Sequence, residues 1–569
     1  MSRPPVARLG SLLVVLLLAF TGIGARLVTL QVRDAAAYEA LAREQRLRRL
    51  ALPADRGVIY DRAGRELALS LPARTVYADP RLVRNPARVA RRIAKVLGVE
   101  PGPLRSALLR KAAFVYLARK VDLGLARRIE ELELPGIGFL EESKRYYPGE
   151  GLAAQVLGFV GVDDAGLAGL ELEYQRLLAG RPGSIVVEQD AAGRLIPQGE
   201  RRGRAPVPGR SLALTIDRDI QFHVERALGR AVRGNDAKGG MAVVLDPVTG
   251  DVLAMATAPT FDLNRFQETP VALTRNRPVT DMYEPGSVNK VITATGVVEE
   301  NLVDLAEVLE VPDRYRVGDK WFHDNEQHPP ARMTITDVIA YSSNVGTIQL
   351  AERLGKGRLT TYLDRFGFGR ETGIRFPGEA KGLVLPADRW WGTSMGTIPL
   401  GQGIAVTLLQ MATVYATVAN DGVAVTPRLV RATIDANGRF DLAAESEERR
   451  VVSGRTARIV TGMLARAVRA GTGRLAQIPG YWVAGKTGTA RKPLEDERGY
   501  SEEVIASFIG FAPARDPRVV VAVMLDEPAT VYGGIAAAPL FQEITQFALG
   551  YLHVPTEGRP AIPPTVTSG

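Results

Sequence analysis

Tyr283-Glu284-Pro285-Gly286-Ser287-Val288-Asn289-Lys290 runs directly into an apolar stretch carrying Val291, Ile292, Ala294, Val297 and Val298. Pro-Gly is a turn dipeptide, and the spacing that follows is that of a buried helix. Ser287 is expected at the helix N-terminus, with Lys290 one turn on and on the same face. A serine hydroxyl attacks poorly until a base takes its proton. A lysine three residues on can reach it, and acts as that base only when neutral. Burial and a nearby positive charge both lower a lysine pKa. The helix N-terminus also favours negative charge developing beside the serine. Alone, the pattern equally describes a capped buried helix with an exposed lysine, since Ser and Lys at this spacing arise about once by chance in a chain this long.

Two more motifs follow. Ser342-Ser343-Asn344 lies within Tyr341-Ser342-Ser343-Asn344-Val345-Gly346. Ser342 can relay a proton between Lys290 and a leaving amine, and Asn344 can hold Lys290 and a substrate amide. The plain alternative is a helix cap. Lys486-Thr487-Gly488-Thr489 lies within Trp482 to Ala490. On a strand Thr487 and Thr489 share a face, where both hydroxyls can bind a carboxylate. Gly488 lets a ligand backbone approach closely. Lys486 adds charge that attracts the carboxylate and keeps Lys290 neutral, although strict alternation puts it on the opposite face. The plain alternative is an edge strand protected by lysine. Taken together and in this order, the three motifs are the signature of penicillin-binding proteins and β-lactamases.

Around the motifs, Met241–Leu245 and Val252–Thr257 read as a hairpin about the turn Asp246-Pro247-Val248-Thr249-Gly250. Tyr481–Thr489, Ile505–Phe511 and Val519–Leu525 are three further strands, and Ala537–Tyr551 fits an amphipathic helix. A mainly helical stretch, Ser287–Leu475, separates strands two and three. The expected architecture is α+β: a five-stranded antiparallel sheet flanked by helices, with a helical insertion. Upstream, Asp34 to Gly209 is mixed and charged. It holds a hairpin-like stretch, Arg56-Gly57-Val58-Ile59-Tyr60-Asp61-Arg62-Ala63-Gly64-Arg65-Glu66-Leu67, and helical patterns at Val89–Leu97 and Leu104–Leu117. Arg201 to Arg210 reads as a linker.

Leu9 to Ala25 carries no charge, and apolar residues resume after Arg26 as far as Val32. That length suits one membrane-spanning helix, with Arg26 snorkelling to the interface. Arg3 and Arg8 favour a cytoplasmic amino terminus. A cleaved signal peptide, cut near Gly22 or Gly24, is the rival reading. The expected segments are 1–33 tail and anchor, 34–209 non-catalytic, 210–555 catalytic, and 556–569 a Pro-rich disordered tail. Cysteine is absent, which excludes disulfides, thiolate nucleophiles and Cys-based metal sites. The four histidines, His223, His323, His328 and His553, form no metal-binding spacing. The net charge of +9 is scattered, as on a solvated surface, and does not point to nucleic acid.

The chain resembles a class B penicillin-binding protein. Arg56-Gly57-Val58-Ile59-Tyr60-Asp61-Arg62-Ala63-Gly64 is similar to the family's RGxIxDRxG motif, and Gly169-Leu170-Glu171 to a later motif of the same module. The resemblance implies an elongated α+β pedestal domain, similar to the dimerisation domain of these proteins, ahead of the transpeptidase fold. It implies a serine D,D-transpeptidase that cross-links peptidoglycan stem peptides, and that β-lactams acylate at Ser287. Ser287, Lys290, Ser342, Asn344 and Lys486 would be catalytic, Thr487, Gly488 and Thr489 substrate-binding, and the N–H groups of Ser287 and Thr489 the oxyanion hole. No metal or organic cofactor is implied. Glu284 and Asn344 resemble the division-specific FtsI type, which implies a septal role and an FtsW-type glycosyltransferase partner; the elongation type usually carries aspartate where Asn344 stands. A β-lactamase is disfavoured because the ExxLN signature is missing between the second and third motifs, and a hydrolytic carboxypeptidase by the large first domain and anchor. A β-lactam sensor or an inactive scaffold is the alternative from another class.

Overall fold

The computed structural model describes residues 5–34, 47–188, 201–494, 499–530 and 532–557. The chain divides into two units, one made of residues up to Asp55 with Gly180–Pro208, the other of Arg56–Ala179 with the chain from Gly209 onward. In the first unit, the helix Pro5–Val28 continues into a wider turn at Thr29–Arg33. Its segment Leu9–Arg33 is long and apolar enough to cross a membrane. At 1.5 Å per residue it spans about 37 Å, against a hydrocarbon core of about 30 Å. Leu47–Leu52, Gly183–Glu188 and Arg201–Arg204 form an antiparallel three-stranded sheet in the same unit. The basic run read as a linker is therefore partly a strand.

The second unit holds the sheet on which the three motifs converge. Its strands are β1 (Gly239–Leu245), β2 (Val252–Ala258), β3 (Ala484–Pro493), β4 (Tyr500–Ala512) and β5 (Val519–Asp526). They lie in the order β2-β1-β5-β4-β3, every pair antiparallel. Every position of β1, β2 and β5 is buried. That explains their unbroken apolar runs: helices cover both faces, so no position needs to be polar. Val243, Met255 and Ile509 pack on the side of the helices Lys290–Glu299 and Leu408–Ala419. Val244, Ala254 and Phe508 pack on the side of Arg218–Gly234 and Ala538–Tyr551. The five-stranded α+β expectation holds. β3 begins three residues later than the pattern suggested and runs on to Pro493.

A second sheet joins the two sequence regions. Ser211–Leu214 pairs antiparallel with Val430–Ile434 and parallel with Ile59–Tyr60, which in turn pairs with Glu66–Ala78. The motif beginning at Arg56 sits at this joint. Arg56 and Arg145 both bind the fully buried Glu171, at 2.6 and 2.7 Å, and Arg145 also donates to the Gly57 carbonyl at 2.8 Å. A buried carboxylate needs such partners, and losing either guanidinium leaves a charge uncompensated. Gly57 has no room for a side chain: a Cβ would lie 2.0 Å from the Arg210 carbonyl oxygen. The joint is thus made of the motif residues Arg56, Gly57 and Glu171.

One upstream expectation fails. The helix at Leu104 ends at Leu108, and Val115–Asp122 is instead a strand on Glu66–Ala78. The insertion, expected to be mainly helical, also carries short strand pairs, Leu309–Val311 with Ala331–Met333 and Arg314–Val317 with Lys320–His323. Near the carboxyl end, Glu557 donates its N–H to the Gly480 carbonyl at 3.0 Å, so the chain is held at least that far. The rest of the expected tail lies outside the described residues.

Candidate active site

Ser287 sits in a tight 3-10 turn, Gly286–Asn289, that leads straight into the helix Lys290–Glu299. Gly286 has φ +61°, a conformation glycine adopts at no steric cost. A Cβ on it would fall 2.9 Å from the Thr489 carbonyl oxygen, so the serine turn lies directly against β3. Gly488 serves the same approach, since a Cβ there would meet Val288 Cγ1 at 3.1 Å and Ser507 Oγ at 2.3 Å. The expectation that Gly488 admits a ligand is thus joined by a structural need. The turn is pinned from below. Tyr415 donates to the Val288 carbonyl at 3.0 Å, and Asn289 Nδ2 to the Ile398 carbonyl at 2.9 Å.

Lys290 is 0 % exposed. Its Nζ donates to the Ser342 carbonyl at 2.6 Å, to Asn344 Oδ1 at 2.7 Å and to Ser342 Oγ at 3.2 Å. Ser342 takes a left-handed φ of +62° between the helices Ile335–Ala340 and Asn344–Leu354, and that bend turns both its oxygens onto the lysine. Non-glycine residues hold such a conformation only where the surroundings enforce it. Burial pushes the Lys290 amine down to about 7, against an opposing pull from Asp324.

Lys486, at 1 % exposure, lies on the face of β3 opposite Thr487 and Thr489, the face shared with Gly488 that packs on the serine turn. Burial, and then the charge of Lys290, drive the Lys486 amine well below its ordinary value. The repulsion is mutual, so each amine, when charged, disfavours protonation of the other. Lys290 has three acceptors and a nearby carboxylate, whereas among the described residues Lys486 Nζ meets only the carbonyl and hydroxyl of Thr487, at 3.2 and 3.4 Å. Two amines this buried titrate as a pair, and the free site favours the proton on Lys290.

Ser287, Asn344 and Thr489 line one open cavity of about 570 Å³, together with Trp321, Arg491 and Tyr532. Ser287 Oγ has no hydrogen-bond partner among the described residues. Thr489 Oγ1 accepts from the Gly533 N–H at 3.1 Å, and Thr487 Oγ1 lies 2.8 Å from Thr472 Oγ1. All eight residues singled out in the sequence thus gather around one cleft and its floor.

Residues 240–546 match the penicillin binding protein transpeptidase domain, and residues 51–214 the penicillin-binding protein dimerisation domain. The chain belongs to the penicillin-binding protein transpeptidase family. Penicillin-binding protein PbpB of Mycolicibacterium smegmatis is 37 % identical to it, over 98 % of this chain and 92 % of the relative. Peptidoglycan D,D-transpeptidase FtsI of Escherichia coli K12 is 36 % identical, over 88 % and 84 %. The crystal structure of penicillin binding protein 3 from Mycobacterium tuberculosis, complexed with aztreonam, superposes with a TM-score of 0.72 at 34 % identity, covering 89 % of this chain and 98 % of that one.

Two residues outside the three motifs complete this penicillin-binding protein site. Asp324 Oδ1 accepts the N–H groups of Asn344, at 2.5 Å, and of Val345, at 3.0 Å, fixing the start of the asparagine helix. Asn344 Nδ2 in turn donates to the His323 carbonyl at 2.9 Å, leaving its Oδ1 for Lys290. His328 Nε2 lies 3.1 Å from Asp324 Oδ2 and Nδ1 lies 2.7 Å from the Pro329 carbonyl. Both ring nitrogens face acceptors, which suits the doubly protonated imidazole. The Pro329 carbonyl, then Asp324, hold the His328 pKa above its ordinary value. Nothing in the local pattern His323-Asp324-Asn325-Glu326-Gln327-His328 signals this role, because its targets lie about twenty residues on.

Proposed function

We propose that the chain is a membrane-anchored, division-type class B peptidoglycan D,D-transpeptidase, a serine acyltransferase that cross-links stem peptides at the septum and is acylated by β-lactams. One observation carries the reading: a buried lysine amine, lowered to about 7 and held by Ser342 and Asn344, beneath a cavity lined by Ser287 and Thr489.

In the first half-reaction the donor's terminal carboxylate lies along Thr487 and Thr489. Its charge draws the shared proton toward Lys486 and frees the Lys290 amine. Ser287 Oγ attacks the carbonyl between the two terminal D-alanines while Lys290 takes its proton. The N–H groups of Ser287 and Thr489 stabilise the oxyanion. The C–N bond breaks, Lys290 returns the proton through Ser342 to the leaving amine, and D-alanine departs. Asn344 orients both Lys290 and the donor amide. In the second half-reaction an amine of a neighbouring stem peptide attacks the ester. Its proton returns to Ser287 Oγ by the same route, and a new amide closes the cross-link.

In this reading residues 1–33 are cytoplasmic tail and anchor, 34–209 the pedestal and 210–555 the transpeptidase domain, with the catalytic region outside the cytoplasm. Arg3 and Arg8 ahead of the apolar helix support that orientation. An FtsW-type membrane glycosyltransferase is the expected partner, on the strength of the likeness to FtsI. The test is product analysis. The full chain, given nascent peptidoglycan strands, should form cross-linked muropeptide dimers, and Ser287→Ala none. Trimmed stem peptides without dimers would indicate a carboxypeptidase instead. No labelling of either protein by penicillin would indicate a scaffold.

A further inference from the structure

A second cavity, of about 710 Å³, opens where the face of the helix Gly454–Arg469 meets the end of Leu408–Ala419, the β4–β5 turn and the segment leading into β3. Its floor is apolar and bare, formed by Val418, Ala419, Gly462, Ala465 and Ala514. A Cβ added at Gly462 would meet nothing within 4 Å, so that helix face is open to an occupant. Four arginines line the cavity. Two are already satisfied, Arg458 by Asp421 at 3.1 Å and Arg466 by Asp337 at 2.9 Å. The other two are not. Arg469 and Arg515 flank the ring of Trp482, their guanidinium carbons 5.8 and 5.6 Å from its centroid, and neither has a carboxylate partner among the described residues. A guanidinium stacked on an indole spends one face on the ring and keeps its N–H edge for a planar anion, which carboxylate matches bidentately.

We propose that this cavity docks an acidic peptide segment of a partner protein, its carboxylates clamped by Arg469 and Arg515 about Trp482 and an apolar side chain seated over Gly462 and Ala465. The shape argues for a peptide. From Arg458 to Arg469 the helix face runs about 16 Å, the length of a three-turn helix or of five extended residues. An isolated phosphate would leave the apolar floor unused. The position argues for regulation. Trp482 stands four residues before Lys486 on the same segment. Arg469 stands three residues before Thr472, whose hydroxyl meets that of Thr487 and whose N–H donates to the Ala340 carbonyl, two residues before Ser342. An occupant thus touches the chain just ahead of the third motif, and through Arg469 it lies three residues from a hydrogen bond to the segment just ahead of the second. The binding claim stands independently of the transpeptidase reading; the regulatory claim rests on it.

The test uses the full chain and a random 12-residue phage-displayed peptide library. Selection should enrich peptides rich in Asp and Glu with an apolar residue between them. Their affinity should fall at least tenfold in the variant carrying Arg469→Gln and Arg515→Gln, and again in a separate Trp482→Ala variant. The Arg469→Gln and Arg515→Gln variant should melt and label with penicillin as wild type does, which separates loss of the clamp from loss of fold. Binding of the enriched peptide should change the rate of Ser287 acylation at least twofold in wild type and not in that variant. No enrichment, or enrichment that persists in the variant, overturns the proposal. So does binding of phosphatidylglycerol vesicles that depends on the two arginines without any acidic peptide being selected, which would make the site a reader of lipid phosphate. Peptide binding without a rate change retains the docking claim and overturns the regulatory one.

Discussion

Replacing Asp324 by asparagine keeps the size of the side chain and one acceptor oxygen but removes the charge. Asp324 Oδ1 accepts two backbone N–H groups at the head of the asparagine helix. Charge-assisted hydrogen bonds contribute about 1.5–3 kcal/mol and neutral ones about 0.5–1.5. The substitution therefore costs about 1 kcal/mol per bond, or about 2 kcal/mol for the pair. That loss falls on the placement of Asn344, hence on the Lys290 amine it holds, and corresponds to a roughly 30-fold slower acylation. A second effect is independent of rate. The negative charge of Asp324 raises the Lys290 pKa, so its removal lowers that pKa further below about 7. Acylation needs the neutral amine and switches on as pH rises through this value. Its acid limb should therefore move to lower pH in Asp324→Asn. His328→Gln does the opposite. It removes the cation facing Asp324, leaves the carboxylate's charge less compensated and shifts the limb to higher pH; Asp313, whose Oδ1 accepts the His328 N–H at 3.3 Å, is the other anion facing that ring. The assay is the second-order rate of acylation by a fluorescent penicillin between pH 5 and 9. Shifts of the two variants in the same direction, or an Asp324→Asn enzyme as fast as wild type, would refute the reasoning.

Other outcomes follow from the same geometry. Gly286→Ala forces a side chain into a left-handed turn, a cost of about 1–2 kcal/mol, and against the Thr489 carbonyl; penicillin labelling should fall at least tenfold while circular dichroism stays native. Thr472→Val breaks the hydroxyl contact with Thr487; a loss of about 1 kcal/mol should appear as several-fold slower acylation with the pH limb unmoved. Glu225, which accepts from the Ala153 N–H and from Gln221 at 2.7 Å each, has its carboxyl raised by burial to about 7. Between pH 4.5 and 7 the folded chain then binds more protons than the unfolded one, so stability falls as pH rises through that window. Glu225→Gln should remove this dependence and add about 2 kcal/mol at pH 8, allowing for partial solvent screening, as read by denaturant melts at several pH values.

How much of this is visible in the sequence depends on the range of the interactions. The catalytic sheet is legible because β1, β2 and β5 are buried on both faces and so write themselves as unbroken apolar runs. The serine turn, the asparagine helix and β3 are legible because turn and cap chemistry is local. Val115–Asp122 is misread, since its apolar spacing serves a helix as well as a strand until its partner Glu66–Ala78 is known. The parallel pairing of Ser211–Leu214 with Ile59–Tyr60 joins segments about 150 residues apart and leaves no local mark. Asp324 and His328 are silent for the same reason. Which of the two buried lysines is better supplied with acceptors is also hidden. It depends on how many acceptors each amine meets once folded, and Lys290 meets three.

The central claim is that Ser287 is made nucleophilic by an amine pair buried beneath it. Peptide-level mass spectrometry of the full chain after brief exposure to penicillin tests it most directly, read on wild type and on Lys290→Met. The account predicts one adduct on wild type, on Ser287, and an adduct slowed by several orders of magnitude in the methionine variant, with the fold retained. An adduct on any other residue, or equal acylation of Ser287 when Lys290 is gone, would contradict it.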